Sequence, residues 1–73
     1  MPRTGDPRKL LGDAIRKRRR ALGLTQEQLA EKADLHWIYI SGIERGQKNV
    51  SIVNLHQIAI ALKLRVRDLV KDF

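Results

Sequence analysis

The chain has 73 residues, with 15 lysines and arginines against 8 acidic residues and no cysteine. That length holds one domain, and the missing cysteines exclude both a disulfide framework and a thiolate metal site. The net charge of +7 makes nucleic acid the first partner to consider, with a solvated basic surface as the alternative.

An apolar fraction of 42% suits a folded globule rather than a disordered tail. A domain of this size buries only about 60% of its unfolded surface, so it needs economical packing or a partner. No apolar run approaches the roughly 20 residues that span a bilayer. The N-terminus lacks the apolar core of a signal peptide, so a cytoplasmic protein without a membrane partner is expected.

The opening MPRTGDP carries two prolines, a glycine and no periodic apolar residue. Residues 1–7 read as a flexible arm and 8–73 as the folded domain. Helical periodicity begins near Arg8 or Lys9. Leu11, Ala14, Ile15 and Leu22 share one face, and Gly23 stops the helix. Within the basic run 16–20, Arg16, Lys17 and Arg20 read as a solvated face. Arg18 falls on the apolar stripe, which predicts a stem along the core edge and a head snorkelling into solvent.

TQEQLAEKA predicts a second helix, with Thr25 and Gln28 spaced for a capping box. Leu29 and Ala30 point inward, and Ala33 ends the helix. Asp34 stands at a tight corner, where Asp tolerates the left-handed conformation better than most residues. Leu35 then drops into the core. A third helix runs from His36 or Trp37 to Arg45, with Gly46 as its stop. Ser51 caps a fourth helix, IVNLHQIAIALK, and RVRDLVKDF follows as a short fifth. The pattern is all-α.

Leu35, Trp37, Ile38, Tyr39, Ile40 and Ile43 crowd large apolar or aromatic groups into nine positions. Ile40 and Ile43 share a face that can pack on Leu29 and Ala30. Trp37, Ile38, Ser41, Gly42 and Arg45 lie around the other side, with Tyr39 on the flank. Helix, three-residue corner and helix form the helix-turn-helix arrangement.

At this point GLTQEQLAEKADLHWIYISGIERG resembles the Xre/Cro-type helix-turn-helix family of phage repressors and bacterial regulators. The matching residues are Gly23, Leu24, Thr25, Gln26, Leu29, Ala30, Tyr39, Ile40, Ser41, Ile43, Glu44, Arg45 and Gly46. The likeness covers about residues 8–70. YISGIERG followed by KN and a Ser-capped helix looks most like the controller proteins of restriction–modification systems.

The resemblance implies a five-helix, phage-repressor-like DNA-binding domain. Its third helix would enter the major groove of double-stranded DNA while the second lies across the backbone. It implies that Gln26 reaches a phosphate, helped by free N–H groups at its helix start. Trp37, Ile38, Ser41 and Gly42 take base-facing positions. Arg45, Lys48 and Asn49 lie near phosphate or the groove edge, and Tyr39 could donate its hydroxyl to a phosphate. Arg19 and Glu44 match a pair that forms a salt bridge between the first and third helices. The sequence departs from the family pattern at Asp34, where Gly is usual, at His36, where Ser, Thr or Asp is usual, and at Arg18, where an aliphatic residue is usual.

Trp37 stays open between packing over the corner, touching DNA and touching protein. Trp37 and Ile38 cannot make bidentate hydrogen bonds, but they can touch the 5-methyl group of thymine. Surplus apolar positions predict a homodimer. Val53 and Ile60 lie opposite the core stripe of Leu55, Ile58, Ala59 and Leu62. Val66, Leu69, Val70 and Phe73 form a second stripe at the chain's end. His36 and His56 are too far apart to suggest a metal pair. No nucleophile–base pair or phosphate-cradling glycine loop appears, so no enzyme, cofactor or small-molecule ligand is expected. Two other classes fit the same residues: an antitoxin whose main partner is a toxin protein, and a basic protein- or RNA-associated module that no longer reads bases.

Overall fold

The computed structural model describes residues 5–73, and residues 1–4 of the expected arm lie outside the described residues. Among the described residues there are five helices and no strand: α1 (Pro7–Ala21), α2 (Gln26–Ala33), α3 (Trp37–Glu44), α4 (Ile52–Ala61) and α5 (Val66–Val70). None of them is long and apolar enough to cross a membrane.

Helices α1 to α4 each start where a side chain accepts from a free N–H group. The Asp6 carboxylate accepts from the Arg8 N–H at 2.9 Å, and Pro7 takes the first helical position, where its missing N–H costs nothing. Helix α1 therefore begins one residue before the periodicity does. The Arg8 guanidinium, and then its N–H, hold the Asp6 carboxyl down at about 2. At α2, the Gln28 N–H donates to the Thr25 hydroxyl at 3.0 Å, and the Thr25 N–H donates to the Gln28 amide oxygen at 2.8 Å. The expected capping box is complete. The Ser51 hydroxyl accepts from the Asn54 N–H at 3.1 Å to start α4.

The core joins Leu11 and Ile15 of α1, Leu29, Ala30 and Ala33 of α2, Ile40 and Ile43 of α3, and Leu55, Ile58 and Ala59 of α4. Leu62 and Leu69 complete it. Helix α1 packs on α3 and α5, and α2 packs on α3 and α4. At Gly12 the backbones of α1 and α3 come close together. A Cβ there would meet the carbonyl oxygens of Ile43 and Glu44.

Two residues depart from the sequence expectation, Arg18 and Leu69. Arg18 does not simply extend outward: it is half-buried, and its Nε donates to the Leu62 carbonyl at 3.0 Å, at the C-terminal end of α4. A helix end exposes unpaired carbonyls and partial negative charge, so a cation on the core edge is drawn there. Helix α4 stops at Ala61 because Lys63 turns left-handed, with φ 59°, and the Leu64 N–H returns to the Ala59 carbonyl at 2.9 Å. Leu69, expected at the dimer interface, is buried within the single chain. It is only 2% exposed, because the middle of the α5 stripe faces α1 and α4. Val66 and Val70 are half-buried against the same core. Phe73 lies beyond the end of α5 and is 48% exposed.

Two substitutions should move stability in opposite directions. Helix propensity favours Ala over Gly by about 1 kcal/mol. Overpacking against two backbone carbonyls costs more, so Gly12→Ala should lower the unfolding free energy by about 2 kcal/mol or more. Lys63→Gly removes a left-handed strain of about 1–2 kcal/mol and adds some unfolded-chain entropy, for a net gain of about 0.5–1 kcal/mol. Urea unfolding measures both; a stabilised Gly12→Ala would mean that the crossing yields easily.

Candidate nucleic-acid interface

The α2–α3 corner follows from three local choices. Asp34 takes the left-handed conformation, with φ 58° and ψ 45°. The Leu35 N–H then reaches back to the Ala30 carbonyl at 2.9 Å and closes the end of α2. His36 caps α3 in place of the usual hydroxyl or carboxylate, its Nδ1 accepting from the Ile38 N–H at 3.1 Å. The departures from the family pattern at Asp34 and His36 leave the corner fully bonded.

At the ends of α2 and α3 away from the corner lies a buried polar cluster. Arg19 Nε donates to Glu44 Oε2 at 2.6 Å, and Nη2 donates to Oε1 at 2.9 Å. Nη1 donates to the Leu24 carbonyl at 2.8 Å. The two side chains are only 10% and 2% exposed. Gln26 joins them, its Nε2 donating to Glu44 Oε1 at 3.1 Å. Gln26 was expected at a phosphate. Its amide carries two N–H donors, and Glu44 takes one of them.

The outward side of α3 carries Trp37 and Ile38, which are 46% and 56% exposed. The Trp37 ring stacks on the His36 imidazole, with centroids 6.4 Å apart and planes 23° apart. Ser41 is half-buried one turn on, and Arg45 is exposed at the C-cap. Gly42 does not stand free on this side: it is buried, and a Cβ there would fall 2.8 Å from Lys48 Cγ. The Lys48 stem thus lies across Gly42, which brings its chain alongside α3. Lys48 and Asn49 are exposed in the following loop. Tyr39 is half-buried on the flank. Its hydroxyl accepts from Asn54 Nδ2 at 3.2 Å and faces the Asn49 carbonyl at a long 3.5 Å.

The structure brings Trp37, Ile38, Ser41 and Arg45 to one side of α3, with the Lys48 stem beside Gly42 and the Asn49 carbonyl near Tyr39 on the flank. It sets Gln26 and Tyr39 at that surface's edges. The interface candidates Val53, Ile60 and Phe73 are exposed elsewhere, as is Ile52, which the heptad spacing of Val53 and Ile60 did not pick out. Asn54 was also missed. Nothing in a lone Asn on the first turn of a helix announces a tyrosine 15 residues earlier in the chain.

Comparisons with known proteins agree on this architecture. The helix-turn-helix family model matches residues 15–69. The chain is 44% identical over 71 residues to the control protein C.BamHI of Bacillus amyloliquefaciens, covering 96% of this chain and 86% of that protein. The crystal structure of the restriction-modification controller protein C.AhdI from Aeromonas hydrophila superposes with a TM-score of 0.83. It is 44% identical, and the match covers 85% of this chain and 94% of that one. The wild-type restriction-modification controller protein C.Esp1396I gives a TM-score of 0.82 at 34% identity, over 94% of each chain.

The Arg19–Glu44 cluster yields a stability test. Removing one charge of a buried, hydrogen-bonded pair strands the other, at a cost of about 3–5 kcal/mol. Glu44→Gln should therefore lower the unfolding free energy by about 3 kcal/mol, with a clear drop in melting temperature. A shift of less than a degree would show that Arg19 is as well solvated as the charges around it.

Proposed function

The chain belongs to the helix-turn-helix family, of Xre/Cro type, and on that premise we propose that it is a transcriptional regulator that binds double-stranded DNA. In this reading it acts in the cytoplasm, as a homodimer on near-palindromic operators, as a controller protein of a restriction–modification system. The observation that carries the reading is the outward face of α3. It presents large side chains that the core does not use, flanked by Arg45 and Lys48, on a helix fixed to α1 by a buried ion pair.

The roles divide as the residue chemistry suggests. Arg45, Lys48, Asn49, the Tyr39 hydroxyl and the second Gln26 N–H engage phosphates or the groove edge. They supply most of the affinity, together with the long-range field of a +7 body. Trp37, Ile38 and Ser41 face the bases and supply selection. Gly42 contributes by lacking a side chain, which lets the Lys48 stem lie close. Regulation works by occupancy. The bound dimer blocks or recruits polymerase according to where its sites lie, and the protein's own concentration sets how full they are.

Ile52, Val53 and Ile60 of α4 support the dimer. They are 61% to 68% exposed, although each is a large aliphatic. Phe73 adds aromatic surface at the end of the chain. Covering this patch with a second copy offsets the thinness of a core built from so few residues. A two-fold dimer would set two copies of α3 roughly 34 Å apart, one turn of B-DNA.

Sedimentation at micromolar concentration tests the assembly, with Ile60→Glu and Val53→Glu beside the wild type. Both residues are exposed in the single chain, so the variants should fold. The wild type should sediment as a dimer. Each variant should sediment as a monomer that binds a selected operator at least tenfold more weakly, a loss of about 1.4 kcal/mol. A wild-type monomer at high micromolar concentration, or dimeric variants, would remove this interface and the half-site spacing with it.

A further inference from the structure

Apart from the indole N–H of Trp37, the first turn of α3 offers a base edge mostly hydrocarbon on its outward side. Ile38 is more than half exposed and has no polar side-chain atom. Its backbone N–H is already taken by His36 Nδ1. Neither its side chain nor its main-chain donor can hydrogen-bond a base. Trp37 beside it is held by stacking on His36. Ser41, the next residue along this side, is short and leaves room around both.

In a helix-turn-helix protein, the N-terminal residues of the second helix are those that contact base edges. In the major groove, the hydrophobic feature that distinguishes one natural base pair from another is the thymine 5-methyl group. Resting on the DNA-binding reading above, we propose that Ile38, flanked by Trp37, reads a pyrimidine 5-methyl group. Selection at that base pair then depends on a methyl and not on a hydrogen-bond pattern. An apolar contact has no donor or acceptor to match, so it does not distinguish the thymine methyl from the same methyl on cytosine. Affinity for a site that holds cytosine at this position rises when that cytosine is methylated at C5.

The size of the effect follows from the burial of one methyl, about fourfold in affinity for each contact. A dimer that meets the contact once in each half-site gains roughly 15-fold.

The test starts from a site selected out of a random duplex pool. It is resynthesised with deoxyuridine in place of each thymine in turn, which deletes the 5-methyl group and leaves the pairing edge intact. At one or two positions in each half-site the change should cost about fourfold, and about 15-fold when made in both half-sites. With cytosine at the same position, C5 methylation should recover about fourfold over unmethylated cytosine. Ile38→Ala, whose fold is checked by its melting curve, should bind the thymine and uracil forms within about twofold of each other. If no single thymine replacement matters while the site is still preferred over random duplex, the methyl reading is overturned and DNA binding stands. If the wild type and Ile38→Ala lose equally, another residue reads the methyl, and the assignment to Ile38 is overturned. If the pool yields no preferred sequence, and duplex binds no better than heparin, the DNA-binding reading fails and takes the methyl reading with it.

Discussion

Three helices meet at the carboxylate of Glu44. It lies on the last turn of α3, takes two hydrogen bonds from Arg19 of α1, and takes a third from Gln26 at the start of α2. Arg19 spends its remaining contact on the Leu24 carbonyl, in the link between α1 and α2. Apolar packing alone would hold these helices together without fixing one against another. A nearly dry, bidentate ion pair has one good geometry, and each donor that it satisfies is a constraint on angle. The cluster therefore fixes α3 at one end, while the corner at Asp34 and the His36 cap fix the other as local solutions.

The domain is too short to bury everything that its helices carry. Fully buried aliphatics concentrate where α1, α2, α3 and α4 converge, and the ends of the chain receive what is left. Helix α5 is a single turn and a half, and it gives its central Leu69 wholly to that core. The Arg18 side chain joins α1 to the end of α4 where an aliphatic residue would otherwise have added packing. Such a body exchanges hydrocarbon for hydrogen bonds at its margins. Among the described residues, the large apolar side chains that it does not bury form three patches: the start of α3, one side of α4, and Phe73.

Local chemistry was readable in the sequence, and placement across the fold was not. Thr25 with Gln28, Ser51, and Asp34 at the corner each act within a few residues of themselves, so spacing and side-chain type are enough to find them. The Arg19–Glu44 pair spans 25 residues and came from family resemblance, not from periodicity. The destination of Arg18 depends on where α4 ends, which depends in turn on the left-handed turn at Lys63. Position on a helical wheel put Leu69 and Phe73 on one stripe. Only the end of α5 at Val70 separates the residue that is swallowed from the one that is left out. Gly12 gave no signal either, since a glycine inside a good helix reads as a weakness until the neighbouring backbone is in view.

That close crossing at Gly12 separates two properties that proteins of this kind need to vary independently. The angle of α3 to the body is set on its inner side, by main chain against main chain and by the Glu44 cluster. None of Trp37, Ile38 or Ser41 takes part in it. The outward residues can therefore be rewritten one at a time without tilting the helix that carries them. A lineage of such chains could drift from one target to another through single substitutions, each starting from an intact fold. Changes at the crossing would scramble every contact at once, so drift there is closed.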